Sequence, residues 1–174
     1  MGGTPTIDAF DFARRGRQAQ GSVPLARLVR LTQDLPEQPG GEAGLVRWSV
    51  QGRTGPQGEL LLALHVQAAP RVVCQRCLEP FAWPVDARTV LQLAASDAEL
   101  DDGSQDDPDA IEKIPGSTRL DLLGLVEDEL ILNVPYIPRH ETCPGEQGEA
   151  AGAPDAPAGR RSPFAALEQL KRKG

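Results

Sequence analysis

The sequence predicts an α+β fold in which a mainly antiparallel β-sheet is packed by one amphipathic helix. Apolar and polar residues alternate near residues 45–52, 59–74 and 80–94, as they do in half-buried strands. Apolar residues at helical spacing follow between residues 119 and 132. A short, tethered C-terminal helix is expected to complete the fold.

Length and composition indicate one modest core with appendages. The chain has 174 residues, of which 40% are hydrophobic. Its 18 glycines and 16 prolines exceed the usual share and predict extensive loops. We therefore expect a single α+β domain over residues 1–143, a flexible linker over residues 144–161 and a helix over residues 162–174.

Charge, hydropathy and cysteine number narrow the classes of function. A formal charge of −7 disfavours broad electrostatic binding of nucleic acid, although local basic patches could still contact RNA. The longest apolar string, Leu60 to Leu64, is far below the ~18 residues of a membrane helix. Three cysteines without an export signal favour reduced thiols over a disulfide framework. We expect a cytoplasmic protein with neither a membrane partner nor a small-molecule substrate.

The N-terminal third is predicted to contain a short strand and then a basic loop. Residues 7–31 carry scattered apolar side chains interrupted by Arg14, Arg15 and Arg17. These arginines are interpreted as a solvated loop, with phosphate contact as the alternative. Residues 33–44 are rich in Pro, Gly and Glu and are expected to connect this part to the first long strand.

Two long strands flank the string CQRCLEPF. In the first, Leu60, Leu62 and Leu64 lie on one face, while His65 belongs to the other, more polar face. Pro70 predicts a bend or a sheet edge. Because the connection is too short for a parallel crossover, the strands are expected to pair antiparallel, with Cys74 and Cys77 at the tip of the hairpin.

The helix between residues 119 and 132 is preceded by an acidic segment over residues 97–112, for which we expect a mobile loop. A cation site or an RNA-mimicking surface is the alternative for this segment. Ser117 or Thr118 is expected to cap the helix. Glu127 and Asp128 are expected on its wetter side, and Pro135 is expected to follow its end.

Four residues have the chemistry of a closed zinc site. Cys74 and Cys77 form C-x-x-C, and His140 and Cys143 form H-x-x-C. Zinc is therefore the one cofactor considered. The alternative is that the first two cysteines only tighten the turn while Cys143 lies beside a linker. Thioredoxin-like redox chemistry is disfavoured, since Pro80 and a new strand follow the motif instead of a helix.

Catalytic motifs are absent from the sequence, and we expect no enzymatic activity. The chain has two histidines and no recognisable nucleophile or phosphate-binding motif. Glu127, Asp128 and Glu129 occupy adjacent helical positions about 100° apart, so their carboxylates do not converge on one substrate atom. A charged helix surface is the preferred interpretation.

The C-terminal segment is the predicted element of partner contact. Ser162 can cap a helix, and Pro163 suits its first turn. Apolar and basic side chains follow: Phe164, Leu167, Leu170, Lys171, Arg172 and Lys173. The apolar residues would anchor a partner and the basic residues would reach phosphates. The alternative is a helix that docks on its own domain.

The strings CQRCLEPF, DLLGLVEDELILNVPYIPRH and SPFAALEQLKRK, in this order, resemble the YceD family, also called large ribosomal RNA subunit accumulation proteins. The similarity covers roughly residues 60–172. It implies a bacterial or plastid factor needed for accumulation of large-subunit ribosomal RNA, with no established enzymatic activity. By motif match, Cys74, Arg76 and Cys77 correspond to the cysteine turn of the family, and Arg76 joins the predicted partner contacts. Ser162 stands where members often have Asn.

The resulting hypothesis is a non-catalytic ribosome-biogenesis factor that contacts the pre-ribosomal large-subunit particle through ribosomal RNA or ribosomal proteins. One alternative is a zinc-dependent or nuclease-like RNA-processing enzyme that uses the acidic helix. Another is a binding module that responds to metal or to thiol oxidation.

Overall fold

A computed structural model describes residues 6–100 and 111–144, and it confirms the α+β class. The predicted C-terminal helix and all but the first residue of the predicted linker lie outside the described residues. The strands are β1 (Thr6–Ile7), β2 (Gln18–Pro24), β3 (Leu45–Thr54), β4 (Leu60–Ala68), β5 (Arg71–Val73), β6 (Pro80–Ala82), β7 (Val85–Ala94), β8 (Glu112–Pro115) and β9 (Leu120–Asp121). The helices are α1 (Ala9–Arg14), α2 (Val29–Thr32), α3 (Asp97–Leu100) and α4 (Leu122–Asn133), with 3₁₀ turns at Leu25–Arg27 and Gly41–Gly44.

A five-stranded sheet forms the centre of the fold, in the order β2-β3-β4-β7-β8. The first four strands are antiparallel, and β8 adds to β7 in parallel. Trp48 of β3 faces Val66 of β4, and Leu64 of β4 faces Thr89 of β7. The three long strands predicted from alternation are therefore present, whereas the parallel edge strand was not predicted.

One face of the sheet forms the core. Its side chains pack with α1, α2 and α4 in a single apolar cluster, in which Val46, Leu62 and Val126 have no solvent exposure. The backbone of α1 lies against β3 at Gly52, where a Cβ atom would lie 2.3 Å from the carbonyl oxygen of Phe12. Only glycine fits at this crossing without a shift of the backbone.

The strands that flank the cysteines are each interrupted. The expected strand over residues 59–74 breaks at Pro70 into β4 and β5, and the expected strand over residues 80–94 breaks at Pro84 into β6 and β7. Proline cannot donate to a strand ladder, so the outer part of the hairpin separates as the two-stranded β5-β6 sheet. The predicted antiparallel pairing is confirmed for both parts.

Helix α4 starts later than predicted. Its N-cap is Asp121, whose carboxylate accepts a hydrogen bond from the Leu123 N–H at 2.9 Å, so the prediction of Ser117 or Thr118 is wrong. The competing interaction is the short β9 strand, in which Leu120 pairs with Ile7 of β1. The helix ends at Asn133, two residues before Pro135.

The N-terminal and acidic segments also depart from expectation. Arg14 lies in α1, which is capped by Asp8, so the predicted loop is wrong for this residue. Arg15 and Arg17 lie in the exposed turn that follows, as expected, and Arg15 forms an ion pair with Asp11 at 2.7 Å. Within the predicted acidic loop, the first four residues form α3 and Glu112 begins β8. Residues 101–110 lie outside the described residues.

The chain divides into two compact units, residues 1–140 and residues 141–174, and residues 141–144 are the described part of the second. The division into domain, linker and C-terminal helix stays a prediction. No helix in the described ranges is both long and apolar enough to span a membrane.

Candidate metal centre

The β5-β6 hairpin holds Cys74 and Cys77 on one tight turn. The N–H of Cys74 donates to the carbonyl of Glu79 at 3.0 Å, and the N–H of Leu78 donates to the carbonyl of Cys74 at 2.9 Å. Leu78 adopts a left-handed conformation with φ of 63°. A residue with a Cβ atom is strained in this conformation, so the hydrogen bonds that close the turn hold it in place against the backbone preference of Leu78.

The chain that follows α4 brings His140 to the hairpin. The N–H of Gln75 donates to the carbonyl of Pro138 at 2.8 Å, which joins the two segments through the backbone. The His140 ring lies 4.2 Å from the Phe81 ring, centroid to centroid, with an interplanar angle of 34°. Its Nδ1 atom is 3.3 Å from the sulfur of Cys77.

The four predicted ligands come together. The donor atoms of Cys74, Cys77, His140 and Cys143 all lie within 4.8 Å of one another. In a tetrahedral zinc site, Zn–S distances of ~2.3 Å and Zn–N distances of ~2.0 Å place the donors roughly 3.5 Å apart. The set is therefore close enough to hold a metal ion after small movements of the side chains.

The environment of Cys74 favours the thiolate form that a metal requires. Burial raises the pKa of this thiol, but backbone N–H groups of Cys77, His140 and Arg76 donate to its sulfur and lower the pKa. Their combined effect is larger than that of burial, so the pKa falls to about 5. The Arg76 N–H lies 3.4 Å from this sulfur. The donor set and its hydrogen bonds thus fit zinc.

The remaining predicted contact residues divide into two groups. Arg76 is exposed on the cysteine turn, and its guanidinium lies 3.5 Å from the carbonyl oxygen of His140. The other six belong to the C-terminal segment and lie outside the described residues: Phe164, Leu167, Leu170, Lys171, Arg172 and Lys173. Their roles stay predictions.

Of the three adjacent acidic residues of α4, only Asp128 lies on the charged surface that we expected. Glu127 and Glu129 are each only 8% exposed. Glu127 accepts hydrogen bonds from the Leu31 N–H at 3.1 Å and from Arg30 Nε at 3.0 Å. Because Glu129 instead accepts from the Thr89 hydroxyl at 2.6 Å, the two carboxylates join α4 to different elements.

Sequence reasoning missed an exposed apolar patch at the end of α4. Leu132 is 73% exposed and Tyr136 is 97% exposed, with Ile131 and Ile137 beside them. Large exposed apolar side chains grouped within a few residues are typical of interaction sites. For Tyr136 and Ile137 the available signal was the string VPYIP, because prolines on both sides keep a segment extended and prevent its side chains from continuing the buried face of the helix.

Comparison with known proteins identifies the family. The family model described as large ribosomal RNA subunit accumulation protein YceD matches residues 62–171. The chain belongs to the YceD family. The matched region of this YceD chain contains the cysteine hairpin, α4 and the segment with His140 and Cys143. The resemblance seen in the three sequence strings is thereby confirmed.

A YceD relative from Haemophilus influenzae is 34% identical over 124 residues, which cover 68% of this chain and 69% of the relative. That protein is described as large ribosomal RNA subunit accumulation protein YceD. No solved structure matches the chain. The YceD family name implies a role in accumulation of large-subunit ribosomal RNA.

Proposed function

We propose that this protein is a non-catalytic ribosome-biogenesis factor that supports the accumulation or stability of large-subunit ribosomal RNA by binding the pre-ribosomal particle. The observation that carries the proposal is the family match over residues 62–171. Exposed apolar side chains at the end of α4 support a binding role, since they provide surface for a macromolecular partner.

In this proposal, zinc bound by Cys74, Cys77, His140 and Cys143 has a structural role. All four positions of a tetrahedral ion would be filled by protein donors, whereas catalytic zinc sites keep one position for water or substrate. The metal would cross-link the hairpin to the segment that follows α4 and keep both in a fixed geometry.

The nuclease-like alternative has little support from α4. Glu127 and Glu129 are buried and already accept hydrogen bonds from neighbouring elements, so neither is placed to activate water in a cleft. Residues Phe164, Leu167, Leu170 and 171–173, together with Arg76, remain the proposed partner contacts.

Metal content tests the zinc site. Protein purified under reducing conditions should contain about one zinc per chain by elemental analysis. Cys77→Ser, His140→Asn and Cys143→Ser should each lose it. His65→Asn is the matched control, because His65 is the other histidine of the chain and bonds Asp86, away from the cluster. Full occupancy in the Cys77→Ser and Cys143→Ser variants would refute the site.

Ribosomal RNA levels test the function. Deletion of the gene in its source organism should lower the molar ratio of large-subunit to small-subunit ribosomal RNA, and the wild-type gene should restore it. The tagged protein should sediment with large-subunit precursors, and Lys171→Gln/Arg172→Gln/Lys173→Gln should weaken that association. An unchanged RNA ratio in the deletion strain would contradict the proposal.

A further inference from the structure

The second face of the five-stranded sheet is open to solvent among the described residues. Its side chains alternate with those of the core along each strand, and the described helices pack on the opposite face. Polar residues dominate the open face: Gln18, Gln20, Ser22, Arg47, Ser49, Gln51, Arg53, His65, Gln67, Asp86, Arg88, Gln92 and Lys113. The apolar residues at strand positions of this face are Pro24, Leu45, Leu61, Ala63, Val90, Ala94 and Pro115.

Cationic side chains outnumber carboxylates on this open face, although the chain as a whole carries −7. Arg47, Arg53, Arg88 and Lys113 share the strand positions of this face with a single carboxylate, Asp86. Arg47 also forms an ion pair at 3.5 Å with Glu42, which precedes β3. The side chains of Arg47 and Arg88 are 57% and 76% exposed. Asp86 accepts a hydrogen bond from Gln67 at 2.8 Å and lies 2.7 Å from His65 Nε2 and 3.8 Å from Arg88 Nε, so this carboxylate is engaged on the face itself.

The arginines are spaced to contact an extended polyanion. Arg47 and Arg53 lie six residues apart on β3, which corresponds to roughly 20 Å along the strand. Arg88 lies two strands away on β7, about 10 Å across the sheet. Arg53 and Arg88 line a shallow depression of about 380 Å³ that also includes Ser49 and Gln51. Two bonds from Arg53 to the Gln51 side-chain oxygen, at 3.3 and 2.8 Å, hold its guanidinium over the face.

We propose that the open sheet face, defined by Arg47, Arg53, His65, Arg88 and its glutamines, is a binding surface for the sugar-phosphate backbone of single-stranded RNA. The arginines contact phosphates, and the amide and hydroxyl side chains contact 2′-hydroxyl groups. This assignment rests on the proposed function and names the RNA-contacting element within it.

Charge and composition select RNA over a protein partner for this face. The centre of a protein interface is enriched in aromatic and apolar residues and depleted in charge. The open face carries no aromatic side chain at these positions and more cations than carboxylates, which is the composition of a backbone-binding surface. Without aromatic platforms for base stacking, binding is expected to tolerate changes of RNA sequence.

The test is fluorescence anisotropy of the full-length protein with a labelled, unstructured 20-nucleotide RNA, titrated at several salt concentrations. Arg47→Gln/Arg53→Gln/Arg88→Gln removes three phosphate contacts. For single strands each contact contributes about 0.7 to the slope of log K against log salt. The slope should therefore become shallower by about 2, and affinity at 0.1 M salt should fall about a hundredfold.

Arg27→Gln/Arg71→Gln/Arg119→Gln is the matched control. It removes the same charge from exposed arginines outside the open face and should bind like the wild type. Equal weakening by both triple variants would overturn the assignment in favour of diffuse electrostatics. Absence of RNA binding by the wild type at 50 mM salt would also overturn it.

Cellular complementation separates this inference from the proposed function. If deletion of the gene lowers the large-subunit RNA ratio while the open-face variant restores it fully, the function stands and the RNA surface is wrong. If the variant binds RNA normally but no longer joins large-subunit precursors, the face contacts a protein and the RNA assignment is refuted. Loss of both RNA affinity and complementation supports the inference.

Discussion

Replacement of Glu127 by glutamine is expected to destabilise the fold much more than replacement of its neighbour Asp128 by asparagine. Both carboxylates bind Arg30, at 3.0 Å and 2.6 Å. Only Glu127 is buried, and only Glu127 also accepts the backbone N–H of Leu31. The two substitutions are isosteric and remove the same charge, so the difference isolates the buried contact.

The magnitude follows from the hydrogen bonds. A hydrogen bond to a charged group contributes about 1.5–3 kcal/mol, and a buried donor left without an acceptor costs about as much. The carbonyl oxygen of a glutamine can accept from either Arg30 Nε or the Leu31 N–H. Its NH₂ group then faces the other donor, which is left without an acceptor. We expect Glu127→Gln to lower the free energy of unfolding by about 2 kcal/mol. Asp128→Asn removes an exposed ion pair, with both side chains more than half exposed, and should cost less than about 1 kcal/mol.

The measurement is equilibrium unfolding in urea, followed by the fluorescence of buried Trp48. RNA binding and ribosomal RNA accumulation should survive in Glu127→Gln at temperatures where the variant is folded. Equal destabilisation by the two substitutions would refute the buried-contact reasoning. A fully folded Glu127→Gln protein without cellular activity would instead favour a direct functional role for this carboxylate.

Two further predictions concern a backbone crossing and a thiol. Gly52→Ala should lower the free energy of unfolding in urea by about 2–3 kcal/mol, because its Cβ would meet backbone atoms of Phe12 and Ala13. Gly40→Ala is the control: its Cβ meets nothing within 4 Å, so its stability should stay within about 0.5 kcal/mol of wild type. In chelator-treated protein, the pKa of Cys74 near 5 in the folded state lies below its pKa in the unfolded state. At pH values between these two pKa values, the unfolded state therefore binds more protons than the folded state. Stability should therefore rise from pH 5.5 to pH 8.5, and a flat profile, unchanged by Cys74→Ala, would contradict this assignment.

Much of the candidate metal centre was predictable because its chemistry is local. The spacing of Cys74 and Cys77 requires a tight turn, and alternation on both sides makes that turn the tip of a hairpin. The pairing with His140 and Cys143 was inferred from ligand chemistry alone. A backbone hydrogen bond from Gln75 to Pro138 helps to join the hairpin to the His140 segment. It has no sequence signature, because backbone N–H and C=O groups are the same in nearly all residues.

The burial of Glu127 and Glu129 could not be predicted from helical periodicity. A carboxylate is normally placed on the exposed side of a helix because transfer of its charge from water is costly. Here Arg30 and the Leu31 N–H offset that cost for one residue, and the Thr89 hydroxyl and the Asn133 side chain provide bonds for the other. These partners come mainly from distant segments, so only the packed structure identifies them.

The sequence by itself determined the strands β3, β4 and β7, the cysteine hairpin and the presence of α4, because each depends on side-chain periodicity or turn chemistry within a few residues. Tertiary structure decided the parallel addition of β8, the start of α4 at Asp121 and the excess of cations over carboxylates on one open face of an acidic chain. Those features depend on which segments become neighbours in the folded chain, and the free energy of such long-range contacts is not encoded in local pattern.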